Sequence, residues 1–370
     1  MSNILYIGPY REFSGMGNAS RRYIQALNRA GHHVSIRPIY NAFCPYPESE
    51  IEKEILDLEK NSSTSYHTCI QHCYPHQMQY NNKVGKTIGL IHLESYNYAN
   101  DMAQYFRLVD EIIVGSKTCR DAIVGAGVSD KPLHIVPEPI DLDFFGSFRE
   151  LNEKKSDGFT FYSLGDFSTR KNMLTTMLAH AIICSRYDYV NLIIKTKNKN
   201  LAEHIISNSH IKESIEINNT VFPISKDHER QPRIIVGNTE YKNILHLHNR
   251  GDCLVSISSG ESFGYPSLEA LAFDNNIIVS ENTGVEDLLD DGFGLLVSST
   301  TVPCEENHKP YFMYNTVFQE WQKPDLHDLV RKMEMAILEN ESDKVKRIEK
   351  QRAKLKRCSM DSVADMLRGL

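Results

Sequence analysis

Short apolar runs alternate with helix-patterned segments from the start of this chain, break once, and resume. Ile4 to Ile7 reads as a buried strand. Asn18 to Arg29 carries Ala19, Tyr23, Ile24 and Leu27 at helical spacing, Gly31 ends that helix, and His33 to Ile36 starts the next strand. A Glu-rich stretch, Glu48 to Lys60, is expected as a surface helix. Thr87 to Ile91, Glu111 to Val114 and Leu133 to Val136 are further expected strands, and Ser116 to Val124 a helix capped by Ser116. The polar stretch from Leu142 to Gly158 breaks the rhythm. Strands at Phe159 to Leu164, Val190 to Lys195, Ile234 to Val236, Cys253 to Ser258, Asn276 to Ser280 and Gly294 to Val297 then follow, with helices at Asn172 to Cys184 and Asp325 to Leu338. Such a βαβ rhythm predicts a parallel sheet with helices on both faces, and its restart predicts two of them. The expected fold class is α/β: two Rossmann-like, doubly wound parallel-sheet domains facing a central cleft. Residues 1–145 would be the first domain, 146–158 a linker and 159–370 the second, whose last helix is free to pack back on the first. Thr300 to Pro324 is an insertion that the pattern does not place.

Size agrees with two cores, since 370 residues exceed one ordinary domain. The net charge of −7 argues against nucleic acid as the main partner. No apolar run approaches the ~20 residues of a membrane span. The chain starts on a strand without a leader, so a cytoplasmic location with eight reduced cysteines is expected. The basic run Lys344 to Arg357 reads as a solvated helix face, with peripheral contact at the inner membrane surface as the alternative.

The densest chemistry lies in Glu261-Ser262-Phe263-Gly264-Tyr265-Pro266-Ser267-Leu268-Glu269, directly after an expected strand. Pro266 suits the first position of a helix, where its missing N–H costs nothing. The free N–H groups of such a first turn favour anions, phosphate above all. Two flanking carboxylates would repel that phosphate but accept hydrogen bonds from sugar hydroxyls. The segment therefore reads as a holder for a ligand with phosphates in the middle and hydroxyls at both ends, the shape of a sugar nucleotide.

Other motifs fall at the same strand exits. Ser14-Gly15-Met16-Gly17-Asn18 follows the first strand, and its glycines would let backbone approach a diphosphate. It matches a dinucleotide fingerprint only in part, because Ser20 stands where the third glycine belongs and Arg37 follows the second strand. Arg170 and Lys171 would neutralise a departing diphosphate. His92 and Glu94 exit a strand toward the cleft and suit a substrate or catalytic role. Nucleobase contacts are expected near Ile234 to Asn238, with Asn238 a candidate donor-binding residue. The cluster His67, Cys69, His72, Cys73 and His76 lacks a second ligand pair at zinc spacing, and no metal site is expected there.

With these motifs in place, the chain resembles the retaining glycosyltransferases of family 4, which have the GT-B fold. The E-x7-E segment Glu261 to Glu269 carries most of the resemblance. Asn282 to Asp287, Val136-Pro137-Glu138-Pro139-Ile140-Asp141, Gly165 with Arg170-Lys171-Asn172, and Ile88 to Glu94 extend it over most of the chain. The resemblance implies that Glu269 binds ribose hydroxyls and Glu261 the transferred sugar. Backbone at Ser262, Phe263, Gly264 and Tyr265 would hold the distal phosphate or sugar. Arg170 and Lys171 would neutralise the diphosphate, and Gly15 and Gly17 would close over it. The implied reaction moves a hexose from a nucleotide-diphosphate sugar, of GDP-mannose or UDP-hexose type, to a saccharide or polyprenyl-linked acceptor, with no cofactor and no metal, in surface glycan synthesis. Asp166 departs from the family, in which many members carry arginine after this glycine; Arg170 either takes over that role or is held by Asp166. Three other readings stand beside it: a GT-B epimerase or phosphorylase, an NAD(P)-dependent oxidoreductase led by Gly15 and Gly17, and a catalytically dead sugar-nucleotide sensor.

Overall fold

A computed structural model describes residues 2–40, 45, 47–96, 100–151, 158–196, 214–217, 220–223, 233–236, 241–289, 294–304 and 319–370. Six parallel strands form the first sheet: β1 (Asn3–Gly8), β2 (His33–Pro38), β3 (Thr68–His72), β4 (Lys86–Ile91), β5 (Glu111–Val114) and β6 (Leu133–Ile135), in the order β2-β1-β3-β4-β5-β6. Helices α1 (Gly15–Arg29), α2 (Lys53–Leu58), α3 (Asn100–Phe106) and α4 (Lys117–Gly125) connect them. Tyr6 of β1 packs with Tyr23 and Leu27 of α1 on one face. Ile112 and Val114 of β5 pack with Phe106 of α3 and Ile123 of α4 on the other. The Glu-rich stretch is not one surface helix. A 3-10 turn, Glu48–Glu50, precedes α2, and Ile55 and Leu58 of α2 are buried against the sheet.

The segment expected as a linker begins as helix α5 (Leu142–Leu151), with Phe145 buried in the core of the second half. The second sheet contains β7 (Phe159–Leu164), β8 (Val190–Thr196), β11 (Arg233–Val236), β12 (Cys253–Ser256), β13 (Asn276–Ser280) and β14 (Leu295–Val297). Its order is β11-β8-β7-β12-β13-β14, again all parallel. Between them in the chain, β9 (Ser214–Ile217) and β10 (Thr220–Pro223) form a separate antiparallel pair. Helices α6 (Met173–Cys184), α7 (Tyr241–Arg250) and α8 (Tyr265–Ala272) belong to this half, followed by α9 (Leu326–Ile337), α10 (Glu341–Leu355) and α11 (Met360–Leu367). The unplaced insertion contributes an antiparallel hairpin, β15 (Ser299–Pro303) with β16 (Glu320–Pro324).

The chain crosses between the halves twice, and the crossings are tied. Ile140 N–H donates to the Cys358 carbonyl at 2.8 Å, and Met360 N–H to the Ile140 carbonyl at 3.1 Å. Helix α11 then returns to the first half, where Val363 and Leu367 enter its core and Asp361 pairs with Arg29 of α1. Among the described residues, no helix is long and apolar enough to cross a membrane.

In each sheet the strand order reverses once, between β1 and β3 and between β7 and β12. Doubly wound sheets bind ligands at such switch points, outside the strand carboxyl ends. The glycine loop follows β1, Arg170 and Lys171 follow β7, and Glu261 follows β12.

Candidate active site

Local backbone explains how the cations are aimed. Gly165 follows β7 with φ 144°, in a region that side chains disfavour, and the Lys171 stem passes over it. Lys171 Nζ then reaches Glu261 Oε2 at 2.5 Å. Arg170 Nη1 donates to the Gly260 carbonyl at 2.7 Å and lies 3.5 Å from Glu261, while its Nη2 is 3.1 Å from Glu94 Oε1 of the first domain. Burial alone would raise the Glu261 carboxyl; Lys171 and then Arg170 outweigh it and hold it below the ordinary carboxylate value. Arg170, Lys171, Glu261 and Glu94 thus form one charged cluster across the seam.

His92 joins them. Its Nδ1 faces Ser262 Oγ at 3.1 Å and Glu138 Oε1 at 3.3 Å, and its Nε2 is buried with no partner among the described residues. Burial lowers its pKa to about 4, with Glu261 pulling the other way, so the imidazole is neutral. Glu138 is a third buried carboxyl. Burial, followed by the like charges of Glu261 and Glu269, pushes it up to about 8.

The seam is closely packed around this cluster. The Ser262 carbonyl accepts from Ser116 Oγ at 2.6 Å, and Lys117 N–H donates to Asp287 at 2.5 Å. Trp321 of β16 donates through Nε1 to the Glu94 carbonyl at 3.1 Å, and Tyr96 and Glu320 exchange backbone hydrogen bonds. A cavity of about 720 Å³ opens in the seam, with Lys117 and Arg120 of α4 facing Lys354 and Arg357. It shares Tyr96 and Thr118 with a narrow gap that reaches Glu94 and Glu261.

The remaining expected residues are placed differently. Helix α8 starts at Tyr265 after Gly264, whose φ is 86°, with Pro266 in its first turn. Phe263 is buried in the second core and lies against Gly115 of the first domain. Glu269, only 3% exposed, accepts a short hydrogen bond from Tyr241 and faces His248 Nε2 at 3.2 Å. It sits in a polar floor rather than on an open wall, although each carboxylate oxygen keeps further acceptor capacity. Gly15 is open, with nothing within 4 Å of an added Cβ, whereas a Cβ on Gly17 would lie 2.2 Å from the Glu12 carbonyl. Gly17 N–H is already taken by Ser14 Oγ at 3.0 Å. Ser20, the odd member of the glycine loop, donates to Tyr6 Oη at 3.1 Å, and Tyr6 Oη lies 2.5 Å from His72 Nδ1. His72 is fully buried in β3, and His67 Nδ1 accepts from Asn3 N–H. Among the described residues, no group of three or more His, Cys, Asp or Glu side chains is arranged to hold a metal ion. Asn238 lies outside the described residues. The basic run is partly structural: Arg347 of α10 is buried against Glu339 and the Asp274 carbonyl, and Arg352 pairs with Asp274 at 2.7 Å.

Residues 145–303 match the family model described as glycosyl transferases group 1. No curated protein matches the sequence. Among solved structures, Anabaena Alr3699/HepE in complex with UDP and glucose is similar at a TM-score of 0.64 and 11% identity, over 100% of this chain and 99% of that one. A glycosyltransferase from Rickettsia africae is similar at 0.65 and 13%, over 99% and 96%. The sucrose-phosphate synthase of Thermosynechococcus elongatus is similar at 0.65 and 13%, over 99% and 97%. At these identities the likeness establishes the fold: this chain has the GT-B architecture of two parallel-sheet α/β domains.

Proposed function

We propose that this protein is a retaining, metal-independent hexosyltransferase of the family 4 type. It would take the hexose from a nucleotide-diphosphate sugar and pass it to a saccharide or lipid-linked saccharide. The observation that carries the reading is the charged cluster at the seam. Lys171 and Arg170 converge on Glu261 from one switch point of the second sheet, and Glu94 and His92 meet them from the first domain. The matched model covers the half that supplies the cations and both motif carboxylates. The nucleotide seen with the Anabaena protein supports a nucleotide ligand for the same fold.

In this reading the donor diphosphate displaces part of the Glu261 contact and takes Lys171 and Arg170 as its countercharge. The backbone N–H groups that open α8 add dipolar stabilisation. Glu261, freed from one cation, accepts from a hydroxyl of the transferred sugar, and Glu269 from the ribose. As the glycosidic C–O bond breaks, charge grows on the leaving phosphate beside Lys171. The acceptor hydroxyl attacks on the face the phosphate leaves, and a phosphate oxygen takes its proton, which retains the anomeric configuration.

The test is a transfer assay with UDP- and GDP-hexoses in the presence of a chelator, reading the product anomer by NMR. Retention of the donor's configuration without added metal is expected. Inversion, dependence on a divalent ion, or hydride transfer from a nicotinamide would overturn the reading.

A further inference from the structure

We propose that Glu138 is a positioning residue for His92: its carboxylic acid O–H donates a hydrogen bond to Nδ1 and thereby keeps the single proton of the neutral ring on Nε2, as a hydrogen-bond donor to a substrate hydroxyl. This inference rests on the transferase reading for the identity of the substrate, but not for the tautomer itself.

Geometry carries it. Nδ1 lies 3.1 Å from Ser262 Oγ of the second domain and 3.3 Å from Glu138 Oε1 of the first, both within reach of its one lone pair, while buried Nε2 has no partner among the described residues. A buried ring nitrogen without a partner is costly whether it donates or accepts, so a site that keeps one is built for a partner that arrives with the ligand. The neighbouring histidine repeats the arrangement. His72 lies 4.8 Å from His92 between ring centroids, its Nδ1 is engaged by Tyr6 Oη, and its Nε2 is likewise buried and unpartnered. Each ring is thus pinned at Nδ1 by an oxygen able to donate. Pro137 and Pro139 restrict the backbone on both sides of Glu138, and its side chain is buried.

The groups that face Glu138 decide which partner holds the proton. His92 approaches from β4, Glu261 and Glu269 from the segment after β12, Tyr265 from α8, Tyr23 from α1, Cys119 from α4, and Cys358 from the crossover. Burial raises both tyrosines and both thiols, so they stay neutral through the working range. Above about pH 8 Glu138 loses its proton. The resulting carboxylate then favours the ring proton on Nδ1, and Nε2 changes from donor to acceptor. The proton count balances: one proton leaves Glu138 for solvent, and the ring's single proton changes nitrogen.

Two measurements test this. In protein selectively labelled with 15N-histidine, with His92 assigned through His92→Gln, the ring should be protonated at Nε2 at neutral pH and at Nδ1 in alkali. Glu138→Gln, whose amide still donates to Nδ1, should hold Nε2 protonated at both. With an active donor–acceptor pair, wild-type kcat/KM should fall about tenfold per pH unit above the Glu138 transition, as expected for loss of one essential proton. Glu138→Gln should lack that limb and stay within about threefold of wild type near neutrality, while Glu138→Leu should lose about 10- to 100-fold. Nδ1 protonation in wild type at neutral pH, or an alkaline limb unchanged in Glu138→Gln, overturns the proposal. The wild-type and Gln spectra decide it even if the Leu variant does not fold. The spectra need no substrate, so absence of transferase activity would sink the functional reading and leave the tautomer assignment standing.

Discussion

Removing the Lys171 ammonium tests both halves of the site's electrostatics. Its Nζ lies 2.5 Å from Glu261 Oε2, with the two side chains 14% and 12% exposed. Losing a preorganised charge that stabilises a leaving group costs about 3 kcal/mol, roughly 100-fold in kcat. Lys171→Ala should show that loss, and Lys171→Arg should recover part of it. The folded protein should also be destabilised. Breaking a fully buried pair costs about 3–5 kcal/mol, and Arg170, still 3.5 Å from the carboxylate, should reduce this to about 2. The stability difference should depend on pH. A carboxyl held below its unfolded value contributes stability that is present above that value and lost as pH falls through the folded pKa. The gap between wild type and Lys171→Ala should therefore be full near neutrality and close as pH falls through the lowered folded value, beneath the ordinary glutamate value of about 4.3. Steady-state kinetics on the true donor and urea melts across that range are the assays. Unchanged turnover in Lys171→Ala would refute the leaving-group role, and a stability gap independent of pH would refute the account of Glu261.

Glu269→Gln should raise the donor KM more than it lowers kcat, because ribose contacts persist through the reaction; a pure kcat loss contradicts that role. Gly17→Ala places a methyl against the Glu12 carbonyl and should cost about 2–3 kcal/mol in a denaturant melt, whereas Gly15→Ala, with open space around it, should stay within about 0.5 kcal/mol. Equal costs would mean that the loop packs differently. Trp321 is the only tryptophan in the chain and is buried at the seam beside Glu94, so its emission should shift on saturation with a nucleoside diphosphate. A shift that survives in Trp321→Phe cannot come from the seam.

Local signals made the framework legible. Strands such as Phe159 to Leu164 and Asn276 to Ser280 are short apolar runs bounded by breakers, and Pro266 and Ser116 mark helix starts where the structure has them. The grouping of Arg170, Lys171 and Glu261 was readable because each lies in the loop that leaves a strand of one parallel sheet, so topology brings them to one edge. What stayed hidden depends on contacts between distant segments. Glu138 read as the end of a domain, and only the folded seam sets it beside His92. His248 and Tyr241, which hold Glu269, lie on a helix that the periodicity did not single out. His72 looked like part of a metal-like cluster, yet Tyr6 fixes it from another strand. The pattern did not place the 300–324 insertion, whose two strands pair with each other and touch Tyr96 of the other domain through Glu320.

Calorimetric titration of the protein with UDP, GDP, ADP, NAD and NADP, repeated on Lys171→Ala, addresses the central claim most directly. One nucleoside diphosphate should bind in preference to the dinucleotides, and that binding should weaken by about 2–3 kcal/mol in the variant. Preferential binding of NAD or NADP, or diphosphate binding indifferent to Lys171, would contradict it.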